Sequence, residues 1–128
     1  MNTLAARITH KEQVEPLHLL RCAVGTQSMT MLSLQIEPTL NVGMHVILSV
    51  KSTDIMLSRH GDVSLSVGNR LQARVTGVRN GTLLSSITLD VEGMALESIM
   101  TLQASLQLEL HVNDAVTVLI KESDIALC

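Results

Sequence analysis

The chain writes one pattern twice, and that repetition limits its fold more than any other feature. Leu48-Ser49-Val50-Lys51-Ser52-Thr53-Asp54-Ile55-Met56-Leu57 returns as Val118-Leu119-Ile120-Lys121-Glu122-Ser123-Asp124-Ile125-Ala126-Leu127. Leu4-Ala5-Ala6-Arg7-Ile8-Thr9 returns as Leu71-Gln72-Ala73-Arg74-Val75-Thr76 at an offset of 67 (74 minus 7), whereas the two lysines stand 70 apart (121 minus 51). Three residues (70 minus 67) separate the two registers, and Leu40, Gly43 and Val46 fall opposite Leu110, Asn113 and Val116. Self-similarity at fixed spacing marks a tandem of like units. These run over residues 1–59 and 60–128, with Arg59-His60-Gly61-Asp62 as a polar joint. Units this small bury too little surface to be comfortable alone, so the two are expected to pack together and to gain further by oligomerising.

Each unit reads as β. In the second, Leu71, Ala73 and Val75 alternate with Gln72, Arg74 and Thr76, then Asn80-Gly81 signals a hairpin, then Ile87, Leu89 and Val91 alternate with Thr88, Asp90 and Glu92. Gly93 allows a turn into Met94–Met100, the spacing over Thr101–Leu108 predicts a short helix, and His111-Val112-Asn113-Asp114 turns into a strand over Ala115–Ile120. In the first unit a loop around Pro16 replaces the Asn-Gly turn, and Pro38 forbids a regular helix, so this copy should be the more irregular. The expected fold class is all-β: two tandem OB-like small β-barrels, each with one short helical turn.

Composition excludes several function classes. Net charge is −3 and Phe, Tyr and Trp are absent; a nucleic-acid binder needs a basic face, and a single-strand binder also needs aromatic platforms. The apolar run Ala115–Ile120 is far too short to span a membrane, and no charged segment followed by an apolar one opens the chain, so a cytoplasmic location is expected. Cys22 and Cys128 lack metal or redox spacing, as do His10, His18, His45, His60 and His111. Met29-Thr30-Met31 alternates as a strand face packing a core. No nucleophile–base or paired-carboxylate arrangement stands out; Asp54 and Asp124 fit a turn-forming role, and no enzyme is expected.

The lysine is the remaining question. The chain has three lysines, and two of them occupy the same place in the two units. Lys is depleted in strands and rarely buried without a partner. Two readings stand: a solvated charge that blunts a strand end, or a fixed cation for an anion, with Ser52, Thr53 and Ser123 as neighbouring hydroxyl donors.

Ser66-Val67-Gly68-Asn69-Arg70-Leu71-Gln72-Ala73-Arg74-Val75 resembles the opening Ser-Ala-Arg-Asn-x-Leu-x-Gly-x-Val of the molybdate-binding Mop, or TOBE, domains. The later series Thr101, Leu108, Leu110, Asn113, Val116, Ile120 and Lys121 is similar to that family's ending, and the first unit follows it from Asn2 onward. The resemblance implies a tandem, molbindin-like protein that holds molybdate or tungstate at interfaces between units in a homo-oligomer. It places the oxyanion contacts at Ser66, Gly68, Thr101, Ala104, Lys121 and Glu122 in the second unit. In the first they fall at Lys51 and Ser52, with Met31 in the place of the threonine and Thr30 adjacent.

The chain departs from that pattern. Gly68 lacks a guanidinium, Ala104 lacks a hydroxyl, and Glu122 sets an acid beside Lys121. Lys51-Ser52-Thr53 has no such neighbour, so Lys51 is expected to matter more than Lys121. A composite site is also expected, with Lys51 and Ser52 of one unit meeting Ser66 and Asn69 of another. Arg7 and Arg74 face either an interface anion or solvent. The functions implied are oxyanion storage, buffering or sensing; the alternatives are the ligand-sensing module of a regulator or transporter ATPase, favoured by an opening motif that is cut short at Met1, or an oligomerisation module without a ligand.

Overall fold

The computed structural model describes residues 2–36 and 38–128. The first repeat forms β1 (Asn2–Val14), β2 (Leu17–Val24), β3 (Gln27–Ser33), β4 (His45–Val50) and β5 (Met56–Ser58). The second forms β6 (Asn69–Asn80), β7 (Leu84–Val91), β8 (Met94–Thr101), the helix α1 (Leu102–Leu108), β9 (Ala115–Ile120) and β10 (Ala126–Leu127). In each repeat the long first strand pairs early with the fourth strand and late with the second. Asn2–Arg7 faces β4 and Arg7–Val14 faces β2; Asn69–Arg74 faces β9 and Arg74–Asn80 faces β7. A register shift bends the strand between these two partnerships, between Ile8 and His10 in one copy and Val75 and Gly77 in the other. That bend curls each sheet.

The two sheets are not built from one repeat each. Their orders are β10-β4-β1-β2-β3 and β5-β9-β6-β7-β8. Met56, Leu57 and Ser58 of the first repeat pair with Leu119, Val118 and Thr117 of the second. Ala126 and Leu127 return the exchange on Ser49 and Leu48. Each unit therefore receives its last strand from the other.

Alternation places the apolar faces inward. Leu4, Ile8, Leu20, Cys22, Val24, Met29, Leu48 and Ile55 are buried, and so are their counterparts Leu71, Val75, Ile87, Leu89, Val91, Leu96, Val118 and Ile125, all in one cluster. Met29 and Met31 are buried as expected, and burial raises the Cys22 thiol's pKa. Cys128 is exposed.

The repeats differ where Pro38 stands. Thr101 caps α1 by accepting from the Ala104 amide at 3.1 Å, whereas the described residues of 34–44 form no helix. Among the described residues, the one helical feature common to both copies is a single 3-10 turn directly after the lysine, Ser52–Asp54 and Glu122–Asp124. Strand pairing corrects one alignment made above. Gln27 pairs with Val24 as Met94 pairs with Val91, so the offset of 67 (94 minus 27) still holds in β3 and β8. The residues added in the second copy belong to the helix region, Thr101 is opposite Leu34 rather than Met31, and Thr30 is opposite Glu97. Gly43 and Asn113 occupy the same left-handed turn, φ 94° and 80°, a conformation in which Asn is the common substitute for Gly.

Leu20→Ala and Ile87→Ala, at equivalent buried places, should each cost about 2–5 kcal/mol. Because the sheets share strands, each variant should lower the midpoint of one transition for the whole chain. Urea unfolding followed by far-ultraviolet circular dichroism checks this; two separated transitions would refute it.

Candidate functional site

The repeated lysines open the two 3-10 turns, and each turn docks on the third strand of the opposite repeat: Ser52–Asp54 against β8 and Glu122–Asp124 against β3. The chain thus contains two related junctions. Both lysines are exposed, and neither forms an ion pair among the described residues.

At the first junction, buried Asn2 reaches across to β8. Its Nδ2 donates to the Glu97 carbonyl and its Oδ1 accepts from the Glu97 amide, both at 2.8 Å. The same Nδ2 lies 3.3 Å from Ser52 Oγ. Ser52 in turn donates to Glu97 Oε1 at 3.2 Å, and Ser86 donates to Glu97 Oε2 at 2.7 Å. These hydroxyls hold the Glu97 carboxyl below the ordinary carboxylate range, Ser86 contributing most.

The second junction repeats this frame with other side chains. Asn69 Oδ1 accepts from the Thr30 amide at 2.7 Å, and its Nδ2 donates to the Thr30 carbonyl at 2.8 Å. Glu122 stands in the place of Ser52. Its carboxylate accepts from the Gly68 amide at 3.0 Å and forms no ion pair with Lys121. The acid expected to spoil Lys121 is instead seated where a side chain of residue 68 would begin: a Cβ there would lie 2.6 Å from Glu122 Cδ. So the turn carries a hydroxyl, Ser52, bonded to Glu97 in one junction, and an acid, Glu122, bonded to the Gly68 amide in the other.

The expected site residues are therefore divided. Ser52, next to Lys51, meets Asn2 and Glu97; Glu122, next to Lys121, meets Gly68, while Asn69 meets Thr30. Ser66 is exposed in the segment leading to Gly68. Thr101 lies on β8 four residues beyond Glu97, about 13 Å along a strand, and its hydroxyl oxygen is engaged as a cap. The composite of Lys51 and Ser52 with Ser66 and Asn69 does not form within one chain, because Ser52 docks on β8 while Asn69 docks on β3. Arg7 and Arg74 are exposed, and Arg74 Nη1 donates to the Asn113 carbonyl at 2.6 Å.

Other contacts fix the junctions. At the hairpin tips the Thr26 amide donates to both oxygens of Glu92, at 2.9 and 3.1 Å, and the Thr26 hydroxyl donates to the same carboxylate. These bonds hold the Glu92 carboxyl low. Gln27 pairs through its amide with the backbone of Gln72. Arg59 donates to the Leu108 and Glu109 carbonyls and, at 3.1 Å, to Asp114, tying the connector to the end of α1. Asp114 is also held low, first by the His111 amide and then by Arg59. Asn2 and Glu97 were not singled out from sequence. Asn2 carried a usable signal, since Asn stands two places before the repeated Leu in both copies.

Residues 65–127 match the TOBE domain, and the chain belongs to the Mop/TOBE family. A comparison with curated proteins finds no match. Among solved structures, the cytoplasmic molybdate-binding protein ModG, in a form with molybdate bound, superposes over 98% of this chain and 94% of that one, with TM-score 0.91 and 20% identity. A molybdate-binding protein from Sporomusa ovata is 32% identical, covering 46% of this chain and 88% of that one, with TM-score 0.45. The ModG likeness establishes the tandem fold over nearly the whole chain.

Asn69→Asp keeps the shape of the side chain but loses the donor to the Thr30 carbonyl and buries a charge. It should cost at least about 1–3 kcal/mol, and Asn2→Asp should behave alike; thermal unfolding of the two variants checks this. Glu92, Glu97 and Asp114 are depressed in the folded state, so the stability they contribute is present above their unfolded pKa values and is lost as pH falls through the folded ones. The melting temperature should therefore drop on acidification through and below the ordinary carboxylate range. Glu92→Gln should make that drop shallower; an unchanged slope would contradict the assignment.

Proposed function

We propose that the chain binds a tetrahedral oxyanion of the molybdate and tungstate class at junctions between Mop-like units, for storage, buffering or sensing and not for catalysis. The observation that carries this reading is the repeated lysine turn: an exposed ammonium group without an ion-pair partner among the described residues, opening a one-turn helix, at the same place in both copies. A dianion favours a cation with several neutral donors around it. The fold supports the reading, since it is shared with ModG, a protein solved with molybdate bound.

One chain alone gathers only part of the expected contact set, because Thr101 stands far along β8 from Ser52. Completion by a second copy follows naturally. The outer surface supports a homo-oligomer: Leu83, Leu84 and Leu106 on the second repeat, and Val14, Leu17 and Leu34 on the first, are exposed large apolar side chains. Among the described residues no helix is long and apolar enough to cross a membrane. We place the protein in the cytoplasm, by analogy with ModG.

Native mass spectrometry with and without molybdate tests both halves of this reading. Discrete oxyanion adducts on an oligomer are expected; an oligomer without adducts would favour a pure interaction module. By calorimetry, Lys51→Ala should weaken tungstate binding roughly ten- to hundredfold, the loss of one charge-assisted contact. Lys121→Ala should change it less, and equal effects would remove the asymmetry argued here.

A further inference from the structure

Gly68 has no side chain, and its φ does not lie in the left-handed region, so backbone conformation does not explain the glycine. Space does. The carboxylate of Glu122 fills the volume that a side chain at residue 68 would enter, with Oε1 at 2.9 Å and Cδ at 2.6 Å from an ideal Cβ. It also takes the Gly68 amide as a donor at 3.0 Å. Any larger residue at 68 would expel Glu122, and Glu122 in place leaves room for glycine only. The two positions are one physical unit.

The other repeat shows that an acid is not needed there. Its turn carries Ser52 at the place of Glu122, within the same Asn-to-strand frame. The Glu122 carboxylate is thus an anion held by a backbone amide, one residue from an exposed lysine with which it is not paired. A second anion brought to Lys121 would meet that charge at close range.

We propose that Glu122 is an internal ligand: its carboxylate occupies the anion position of the second junction, so that the chain takes up external oxyanion through the Lys51 side only. This rests on the oxyanion reading above and adds its stoichiometry. Glu122, acting with Gly68, is then the residue that decides how many oxyanions each chain holds. The consequence for specificity is direct, since an oxyanion entering at Lys121 must first displace a covalently tethered competitor, whose effective concentration does not fall on dilution.

The test compares the wild-type chain with Glu122→Ser, the residue found at the equivalent place in the first repeat, by native mass spectrometry and calorimetry with sodium tungstate. Glu122→Ser should gain tungstate adducts over the wild type, and adding Lys121→Ala to it should remove the gain while leaving the wild-type adducts in place. If wild type and Glu122→Ser bind the same number, and Lys51→Ala abolishes it in both, the internal ligand is refuted while the oxyanion reading survives. If neither protein binds tungstate, the oxyanion reading fails and takes this inference with it. A measurement on the unmodified chain guards against a variant that does not fold. In that chain the Gly68 amide, the donor to Glu122, should exchange its hydrogen with solvent slowly although the residue is exposed. A Gly68 amide that exchanges as freely as an unbonded one overturns the proposal without any ligand.

Discussion

The structure depends on the reciprocal exchange of its last strands. A unit with four strands of its own leaves one edge of β4 or β9 open, and that edge is closed by three residues in one direction and two in the other. Such short strands have little intrinsic stability. They hold because the core residues just before them, Ile55 and Ile125, are buried in the shared cluster, and because Asn2 and Asn69 pair with Glu97 and Thr30 as a backbone would. The exchange also explains the placing of the lysine. The turn that carries the chain across to the other sheet is the turn that lysine opens, so Lys51 and Lys121 stand by construction at the seam between repeats.

The two seams are alike in backbone frame and different in side chains. Each holds an acid, but the acid is on the strand against two hydroxyls in one and on the turn against a backbone amide in the other. At the first seam Glu97 is held by Ser86 and Ser52 and lies across from the lysine turn. At the second, Glu122 is part of the lysine turn itself and reaches the segment before β6. The same scaffold therefore presents two unequal electrostatic settings to whatever approaches from outside.

Much of the fold was legible because it is written in local pattern. The alternation of Ile87, Leu89 and Val91, the turn at Gly93, the helix between Thr101 and Leu108, and the strand Ala115–Ile120 all stand as read. The exchange was not legible. Ala126-Leu127 is too short to carry a period, and which sheet it joins is decided by packing far away in sequence. The candidate site was legible in part: the lysines declared themselves by recurrence, whereas the direction of Glu122 depends on the empty volume at Gly68, which only the three-dimensional arrangement reveals. The pairing of Thr101 with Met31 failed for a related reason. A sequence shift of three can be placed at any loop, and only the β3 and β8 ladders put it in the helix.

The absence of aromatic rings gives the shared core a particular character. Leucine, isoleucine, valine and methionine offer many small methyl surfaces and no broad flat ones, so the interior is sealed by numerous weak contacts spread evenly over both repeats. No single bulky residue acts as a keystone. Substitution at the seams can therefore proceed without disturbing a dominant packing element, which is how one duplicated scaffold came to carry a serine at one lysine turn and a glutamate at the other.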